Sequence, residues 1–155
     1  TSFGEIFAKE SIMALSVNHS NDKLRLNFAD GSSWSPYPES GSTIPMNQWV
    51  HVAGTRSGSA LKVYVDGVLE GTGTNANTGS NADSAGIGHK TTSPNHFNGL
   101  IDDVRYYNSA LSSSEVAVLA GGAPEPAETF AFLGLLTAAG LGFREWCSRR
   151  KAKPA

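Results

Sequence analysis

The sequence predicts an all-β fold in which short antiparallel strands form a β-sandwich. Runs of alternating apolar and polar residues recur along residues 1–108 and are separated by Gly, Asn, Ser and Pro, a pattern typical of sandwiches and barrels. Gly alone occupies 17 of the 155 positions, and only 17% of the residues are charged. Asp66-Gly67 separates two apolar runs, which predicts a hairpin because a type I′ turn needs positive φ at both central residues.

Two segments have the alternation of strands with one apolar face. Over 23–28, Leu24, Leu26 and Phe28 alternate with polar residues, so we expect the opposite face of this strand to meet water. Residues 61–66 alternate in the same way before the Asp66-Gly67 turn. Further strands are predicted over 49–53 and 100–104, and a long loop over 71–86.

One short helix is predicted over about 113–120. Ser112 precedes Glu115 by three residues, the spacing of a capping box in which each side chain binds the backbone N–H of the other residue. Gly121-Gly122 is expected to end the helix. This element is structural and carries no chemistry.

Three ordered segments of this body resemble the laminin-G-like domains. They are Asn47–Ala53, Leu61–Gly67, and the closing stretch from Phe97 to Ser112 with Ile87-Gly88 before it. The resemblance covers roughly residues 3–120 and implies the concanavalin A-like jelly-roll, two packed antiparallel sheets. We therefore expect residues 1–120 to form this domain, without the N-terminal strands that usually open the family's domains.

Charge divides the chain near Gly121-Gly122. The net charge is −4 over residues 1–122 and +2 over residues 123–155. The low charge density and a pI near 6.0 argue against a nucleic-acid partner, which needs clustered Lys and Arg.

A single Cys excludes an internal disulfide and a multi-cysteine metal site.

The tail is predicted to hold a single transmembrane helix. Residues 129–143 are an uncharged run whose length, roughly 22 Å as a helix, falls short of the ~30 Å hydrocarbon core. A buried core helix is the alternative by length alone. The flanking basic tail, residues 144–155, favours the membrane and the cytoplasmic side for its cations: Arg144, Arg149, Arg150, Lys151 and Lys153.

The linker over 121–128 contains Pro124-Glu125-Pro126 immediately before this apolar run. The order of Pro-Glu-Pro, apolar segment and Arg-rich end resembles the bacterial PEP-CTERM sorting signal. The resemblance implies an exosortase, a membrane protease, as a partner that removes the tail during export. A proline-containing linker between domain and anchor is the alternative.

Catalysis is not predicted. Glucanases of the wider fold class use two closely spaced carboxylates, and Asp102 and Asp103 are adjacent, so on a strand they would point to opposite faces. His51 lies in a predicted strand beside Trp49 and is interpreted as a packed or edge histidine. His89 and His96 are seven residues apart and weak candidates for a metal site.

Calcium is a candidate cofactor, because many laminin-G-like domains bind it through Asp side chains and backbone carbonyls. The resemblance points to Asp102 in the closing stretch, and Asp83 lies in an Asn/Ser-rich loop. The alternative is that Asp102 forms only local hydrogen bonds.

A sugar site is a second candidate. Trp34 and Tyr37 lie in a polar, proline-bearing stretch where large aromatic side chains have no evident core to fill. Aromatic rings can stack on the apolar C–H face of a sugar. The alternative is that Trp34 covers the end of the sandwich.

Together these features predict an exported binding or adhesion module that recognises polysaccharide or protein. We expect an inner-membrane-anchored intermediate with the N-terminal domain outside the cytoplasm, and then a cell-surface or matrix location. The alternatives are a glycan-active enzyme whose catalytic part precedes this sequence, and a structural matrix protein without a specific ligand.

Overall fold

The computed structural model describes residues 3–10, 12–29, 33–79, 82, 84–89 and 95–121. Within these ranges the chain forms antiparallel strands in two sheets, and one helix. The first sheet has the strand order β4-β3-β2-β1-β8 and the second the order β5-β6-β7. The elements are β1 (Phe3–Lys9), β2 (Met13–Asn18), β3 (Lys23–Phe28), β4 (Glu39–Thr43), β5 (Val52–Ser57), β6 (Ala60–Val65), β7 (Val68–Thr74), β8 (Ala85–Ile87) and α1 (Ser113–Ala120). These two antiparallel sheets fit the predicted jelly-roll sandwich.

The core lies between the sheets and consists of the apolar sides of β3 and β6. Leu24 and Leu26 from β3 cluster with Leu61, Val63 and Val65 from β6, and all five are buried. Their period of two is the period that the sequence shows, because alternate side chains of a strand point to the same face. The predicted apolar faces of both strands are confirmed.

The turn between β6 and β7 has the predicted geometry. Asp66 has φ 47° and Gly67 has φ 78°, so both central residues lie in the left-handed region that a type I′ turn requires. Asp66 accepts a hydrogen bond through Oδ1 from the backbone N–H of His51, 2.9 Å away. The turn therefore also fixes the chain that leads into β5.

The opposite faces of β3 and β6 are not exposed, and this part of the prediction is wrong. Arg25 and Asn27, on the polar side of β3, are each only 8% exposed. Tyr64, on the polar side of β6, is fully buried, and its O–H lies 3.2 Å from Ser113 Oγ at the start of α1. Other segments cover these faces, which strand alternation alone does not reveal.

The helix is confirmed at Ser113–Ala120, with Ser112 as N-cap. Ser112 Oγ accepts from the backbone N–H of Glu115, and Glu115 Oε2 accepts from the backbone N–H of Ser112 at 2.7 Å. Val116 is the fully buried residue of this helix. The capping box thus starts the helix that covers the second sheet.

Three predicted segments differ from the structure. The strand expected over 49–53 begins only at Val52, after Asn47 takes a positive φ of 59°. Residues 100–104 form no strand, because Asp103 has φ 49° and breaks the extended backbone. The loop expected over 71–86 starts later, since β7 continues to Thr74.

The predicted linker, transmembrane segment and basic tail over 122–155 lie outside the described residues. In the ranges given above, the structure contains no helix that is long and apolar enough to cross a membrane.

Candidate functional site

A row of polar side chains crosses the first sheet on the face that points away from the second sheet. Strand register places Glu5 of β1 opposite Ser16 of β2, Ser16 opposite Arg25 of β3, and Arg25 opposite Glu39 of β4. A second row places Ala14 opposite Asn27. Polar side chains from four strands therefore lie side by side and form one polar surface.

A cavity of about 200 Å³ lies on this surface, and we call it the polar cleft. Strands β1 to β3 supply most of its lining, while two loops supply an indole ring and an amide. The lining residues are Phe3, Glu5, Ala14, Ser16, Arg25, Asn27, Trp34 and Asn95.

Arg25 is the central cation of the polar cleft, and two aromatic rings pack against it. Its guanidinium carbon lies 4.7 Å from the centroid of the Phe3 ring and 3.4 Å from that of the Tyr37 ring. Burial lowers the pKa of Arg25, while attraction to Tyr37, Glu39 and Glu5 opposes this shift. A guanidinium remains charged at neutral pH, so the cleft holds a buried positive charge.

Glu39 is held in place beside this cation. Asn18 Nδ2 donates to Glu39 Oε1 at 3.1 Å, and Asn21 Nδ2 donates to Glu39 Oε2 at 3.2 Å. These amides come from the end of β2 and the turn after it. The carboxylate of Glu39 therefore accepts from two donors of the β2–β3 hairpin.

The loop that brings the aromatic rings to the cleft is anchored by two asparagines that follow β7. Asn75 is 2% exposed, and its Nδ2 donates to the carbonyl oxygens of Phe28 at 2.9 Å and Pro36 at 2.8 Å. Asn77 Nδ2 donates to the carbonyl of Ser33 at 3.1 Å. Residues 33–38 are thus tied to the end of the second sheet.

Two buried polar atoms of the cleft lack a hydrogen-bond partner among the described residues. They are Nε of Arg25, a donor, and Oδ1 of Asn27, an acceptor. Buried polar atoms are normally satisfied, and an unsatisfied one costs about 1–3 kcal/mol. A ligand group that both accepts and donates, such as a pair of hydroxyls, would satisfy both atoms.

The two carboxylates of the row stand on strands that are not neighbours. Glu5 and Glu39 lie on strands separated by β2 and β3, which puts their backbones roughly 14 Å apart at the usual strand spacing of about 4.8 Å. Glycosidases place their two carboxyl groups about 5–9.5 Å apart. The backbones of the two residues are thus farther apart than that range.

The two aromatic residues predicted to bind ligand are both at this face. Trp34 is half-buried and lines the cleft, and Tyr37 packs on Arg25. The ligand-binding role of either residue stays a prediction.

The structure does not bring the two calcium candidates together. Asp102 is exposed, and its Oδ1 accepts from the backbone N–H of Asp103 at 2.8 Å. Asp83 lies outside the described residues, and no cluster of three or more His, Cys, Asp or Glu suited to a metal occurs within the described ranges. Calcium binding through Asp102 and Asp83 therefore stays a prediction.

The sorting-signal residues Pro124, Glu125 and Pro126, and the basic cluster from Arg144 to Lys153, also lie outside the described residues. The roles assigned to them stay predictions.

Sequence reasoning missed Arg25, Asn27, Ser16 and Glu5 as cleft residues. The alternation over 23–28 assigns Arg25 and Asn27 to a water-facing side, and no strand was predicted around Glu5 or Ser16, so these positions gave no distinguishing signal. Their burial depends on a loop that is distant in sequence and on Asn95.

Comparison with known proteins supports the fold. The model of the Laminin_G_3 family, described as the concanavalin A-like lectin/glucanases superfamily, matches residues 2–117. No curated protein matches this sequence. A similar solved structure is an S-layer domain-containing protein from Clostridium thermocellum, with 26% identity and a TM-score of 0.44; the match covers 77% of this chain and 63% of that one.

Proposed function

We propose that this chain, which belongs to the concanavalin A-like lectin/glucanases superfamily, is a carbohydrate-binding module that uses the polar cleft. The superfamily includes both lectins and glucanases, so membership alone does not separate binding from catalysis. The observation that carries the proposal is a pair of buried atoms, Arg25 Nε and Asn27 Oδ1, that have no hydrogen-bond partner among the described residues and line the same cleft as the indole of Trp34. Sugars offer hydroxyls for the polar atoms and an apolar C–H face for the ring.

The size of the cleft supports a short ligand segment. About 200 Å³ is smaller than the ~300–1,000 Å³ of sites for drug-sized ligands. We infer that the cleft takes one sugar ring, and that neighbouring rings of a polysaccharide lie outside it.

The experiment compares two tryptophans that differ in position. Trp34→Ala removes the ring that lines the cleft, whereas Trp49→Ala removes a ring that is 67% exposed and lies outside the lining. We expect Trp34→Ala to lower the affinity for bound glycans about tenfold, a loss of about 1.4 kcal/mol, since the apolar face of the sugar loses the ring on which it would pack. Glycan-array screening and calorimetry on the full chain measure this.

Trp49→Ala is expected to bind like the unchanged protein. If both variants lose glycan affinity equally, or if a folded Trp34→Ala protein binds glycans as the unchanged protein does, the polar cleft is not the binding site.

The proposed role is binding without catalysis. It is supported by the separation of Glu5 and Glu39 on the sheet. Incubation of the full chain with each glycan that it binds should release no new reducing ends. Release of oligosaccharides would favour the glucanase alternative.

We also propose that the protein is exported and sorted at the cell surface. Support comes from Pro124-Glu125-Pro126, the apolar run and the basic cluster in the sequence. In an exosortase-bearing host, the intact mass of the surface protein should correspond to a chain that ends near Pro126. A full-length protein in the membrane fraction would make 129–143 a permanent anchor.

Calcium binding through Asp102 and Asp83 has its own test. If these residues hold calcium, the ion should raise the melting temperature, because a ligand of the folded state stabilises it. Asp102→Asn and Asp83→Asn should remove that rise. An unchanged melting temperature in excess calcium contradicts the prediction.

A further inference from the structure

We propose that His89 and His96 form a binding site for a late first-row transition-metal ion such as Cu²⁺, independently of the carbohydrate-binding role proposed above. The centroids of their imidazole rings lie 6.3 Å apart, and the ring planes differ by 22°. Spacing in the sequence made the two residues weak candidates for a metal site. The fold is what brings their rings together.

Backbone hydrogen bonds hold the two histidines at neighbouring positions beside β1. His89 follows Gly88, whose N–H donates to the carbonyl of Ile6 at 2.9 Å. His96 precedes Phe97, whose N–H donates to the carbonyl of Gly88 at 2.8 Å. The two side chains therefore flank one backbone hydrogen bond, and an ion would meet two ligands that are already close together.

The tautomer of His89 leaves a ring nitrogen available to a metal. Its Nδ1 lies 3.1 Å from the carbonyl oxygen of Ile87. A carbonyl oxygen only accepts, so Nδ1 carries the proton and Nε2 of the neutral ring keeps its lone pair. Histidines that bind metals usually donate their other ring N–H to such a backbone carbonyl or to a carboxylate. His89 thus has the hydrogen bond that orients a metal ligand.

Gly86 of β8 leaves room for this arrangement. A Cβ atom at Gly86 would stand 2.6 Å from the carbonyl oxygen of His89 and 3.5 Å from its Nε2. A contact of 2.6 Å is too close, so a larger residue at this position would displace the backbone that carries the ring. The absence of a side chain at Gly86 therefore lets His89 fold back over β8.

The separation of the rings suits one shared ion. A metal lies about 2.0–2.1 Å from a histidine nitrogen, and the ring centroid lies roughly 1.1 Å behind that nitrogen, so two rings on one ion have centroids at most roughly 6.4 Å apart. The observed 6.3 Å is within this limit. Both histidines are exposed, so water can complete the coordination.

The ligand set favours a particular class of ion. Within the described ranges no third His, Cys, Asp or Glu joins the pair, so the described part of the chain supplies two imidazoles. Imidazole suits copper, zinc and nickel, and Cu²⁺ binds nitrogen ligands most tightly among the divalent ions of this series. Calcium prefers oxygen ligands, so it should not compete at this site.

The test is a calorimetric titration of the full chain with CuCl₂ at about pH 7.5. We expect His89→Gln and His96→Gln each to lower the affinity for Cu²⁺ at least about tenfold, because loss of a residue that merely orients a ligand already costs 10–100-fold. Excess CaCl₂ should leave the affinity of the unchanged protein the same. Unaltered Cu²⁺ affinity in both variants would overturn the proposal.

His19→Gln is the matched control. His19 is also exposed, lies in the turn after β2 and does not group with the pair as a metal cluster. Its substitution should leave Cu²⁺ affinity unchanged. Binding of Cu²⁺ by Cys147 or by the terminal amine is common to all the proteins compared and cancels. Equal losses in His19→Gln and in the two site variants would contradict a site formed by His89 and His96.

Two further readouts separate metal ligation from a structural effect of the substitutions. The electron paramagnetic resonance spectrum of the Cu²⁺-loaded chain should show nitrogen hyperfine structure, which should weaken in His89→Gln and His96→Gln. Affinity should also fall between about pH 7.5 and about pH 5, because an imidazole must be deprotonated to bind a metal. A spectrum without nitrogen coupling, or an affinity that is equal at both pH values, would overturn ligation by the two imidazoles.

Discussion

Arg25 occupies a strand position that alternation assigns to a water-facing surface, yet it is 8% exposed. Its surroundings explain how a charge is retained there. Two rings pack against the guanidinium, and attraction to the carboxylates of Glu39 and Glu5 opposes part of the cost of burial. At the scale of single residues, the burial of Arg25 thus depends on the groups that surround it rather than on its place in the alternation.

His51 is a second residue whose surroundings alter its chemistry. Burial lowers the pKa of its imidazole, Arg105 acts in the same direction, and Asp66 and Asp103 oppose the shift. The structure places it beside the β6–β7 turn, where Asp66 N–H donates to the His51 carbonyl at 2.8 Å. This half-buried position agrees with the interpretation of a packed histidine.

A pH dependence of stability follows from His51. Because its folded pKa lies below the ordinary value of about 6.5, the unfolded chain binds more protons below that pH. The contribution of His51 to stability is therefore complete above about pH 6.5 and is lost as pH falls toward the lowered folded pKa. Urea unfolding of the full chain between pH 5 and 8 should show a shallower decline for His51→Gln than for the unchanged protein.

If both proteins lose stability with the same slope, the titration of His51 does not contribute. The comparison within one pH series removes the effect of the other histidines.

The aromatic loop, residues 33–38, is an element without regular structure that nevertheless positions the candidate ligand contacts. Its shape depends on hydrogen bonds from Asn75 and Asn77, some 40 residues later in the chain. Arg56 reinforces the same region by donating to the Asn77 carbonyl and by packing over Phe28, 4.3 Å from its ring centroid. The loop is therefore organised from outside itself.

Asn75→Ala is expected to destabilise the protein by about 1–3 kcal/mol, because the carbonyls of Phe28 and Pro36 lose a buried donor. Glycan affinity should also fall, since Trp34 lies in the loop that Asn75 holds. Urea unfolding and calorimetry measure the two effects. Asn98→Ala, at an exposed position, is the control and should change neither; stability and affinity equal to the unchanged protein in Asn75→Ala would contradict this role.

The helix α1 is a second element whose formation has a local cause. Ser112→Ala removes one side of the capping box and should lower the free energy of unfolding by about 0.5–2 kcal/mol. Ser109→Ala, three residues earlier and exposed, should have almost no effect. Equal stability of the two variants in urea would mean that packing of Val116, not capping, maintains the helix.

At the scale of the whole molecule, the two sheets pack closely against each other and form the sandwich. A Cβ atom at Gly71 of β7 would collide with the Glu39 carbonyl of β4, so glycine permits the contact of these strands. The same approach brings Leu24 and Leu26 onto Leu61 and Val63. Both sheets are thus required for the core, and β4 brings Glu39 to the cleft as a consequence.

Leu61→Ala tests the core as a whole. Leu61 is fully buried, and its truncation should lower the free energy of unfolding by about 2–5 kcal/mol, the range for large-to-small core substitutions. Val118→Ala, at a residue that is 69% exposed, should change it by less than about 0.5 kcal/mol. A small effect at Leu61, measured by urea unfolding, would contradict the assigned core.

The sequence by itself determined the features that depend on local periodicity and backbone geometry. The apolar faces of β3 and β6, the Asp66-Gly67 turn and the capping box of α1 were all predictable, because neighbouring residues cause each of them. The family resemblance was also recognisable from ordered segments. By contrast, the strand predicted over 100–104 is not formed, because Asp103 has a positive φ that no local sequence pattern predicts.

Only the tertiary structure decided the polar cleft. Trp34 and Tyr37 were visible as unusual aromatic residues, but the pattern over 23–28 assigned Arg25 and Asn27 to the water-facing side of a strand, and no strand was predicted around Glu5. Strand register aligned Glu5, Ser16, Arg25 and Glu39 across the sheet, and a loop held by Asn75 covered them. Register and coverage are set by contacts between distant parts of the chain, and these contacts turn separate polar residues into one buried site.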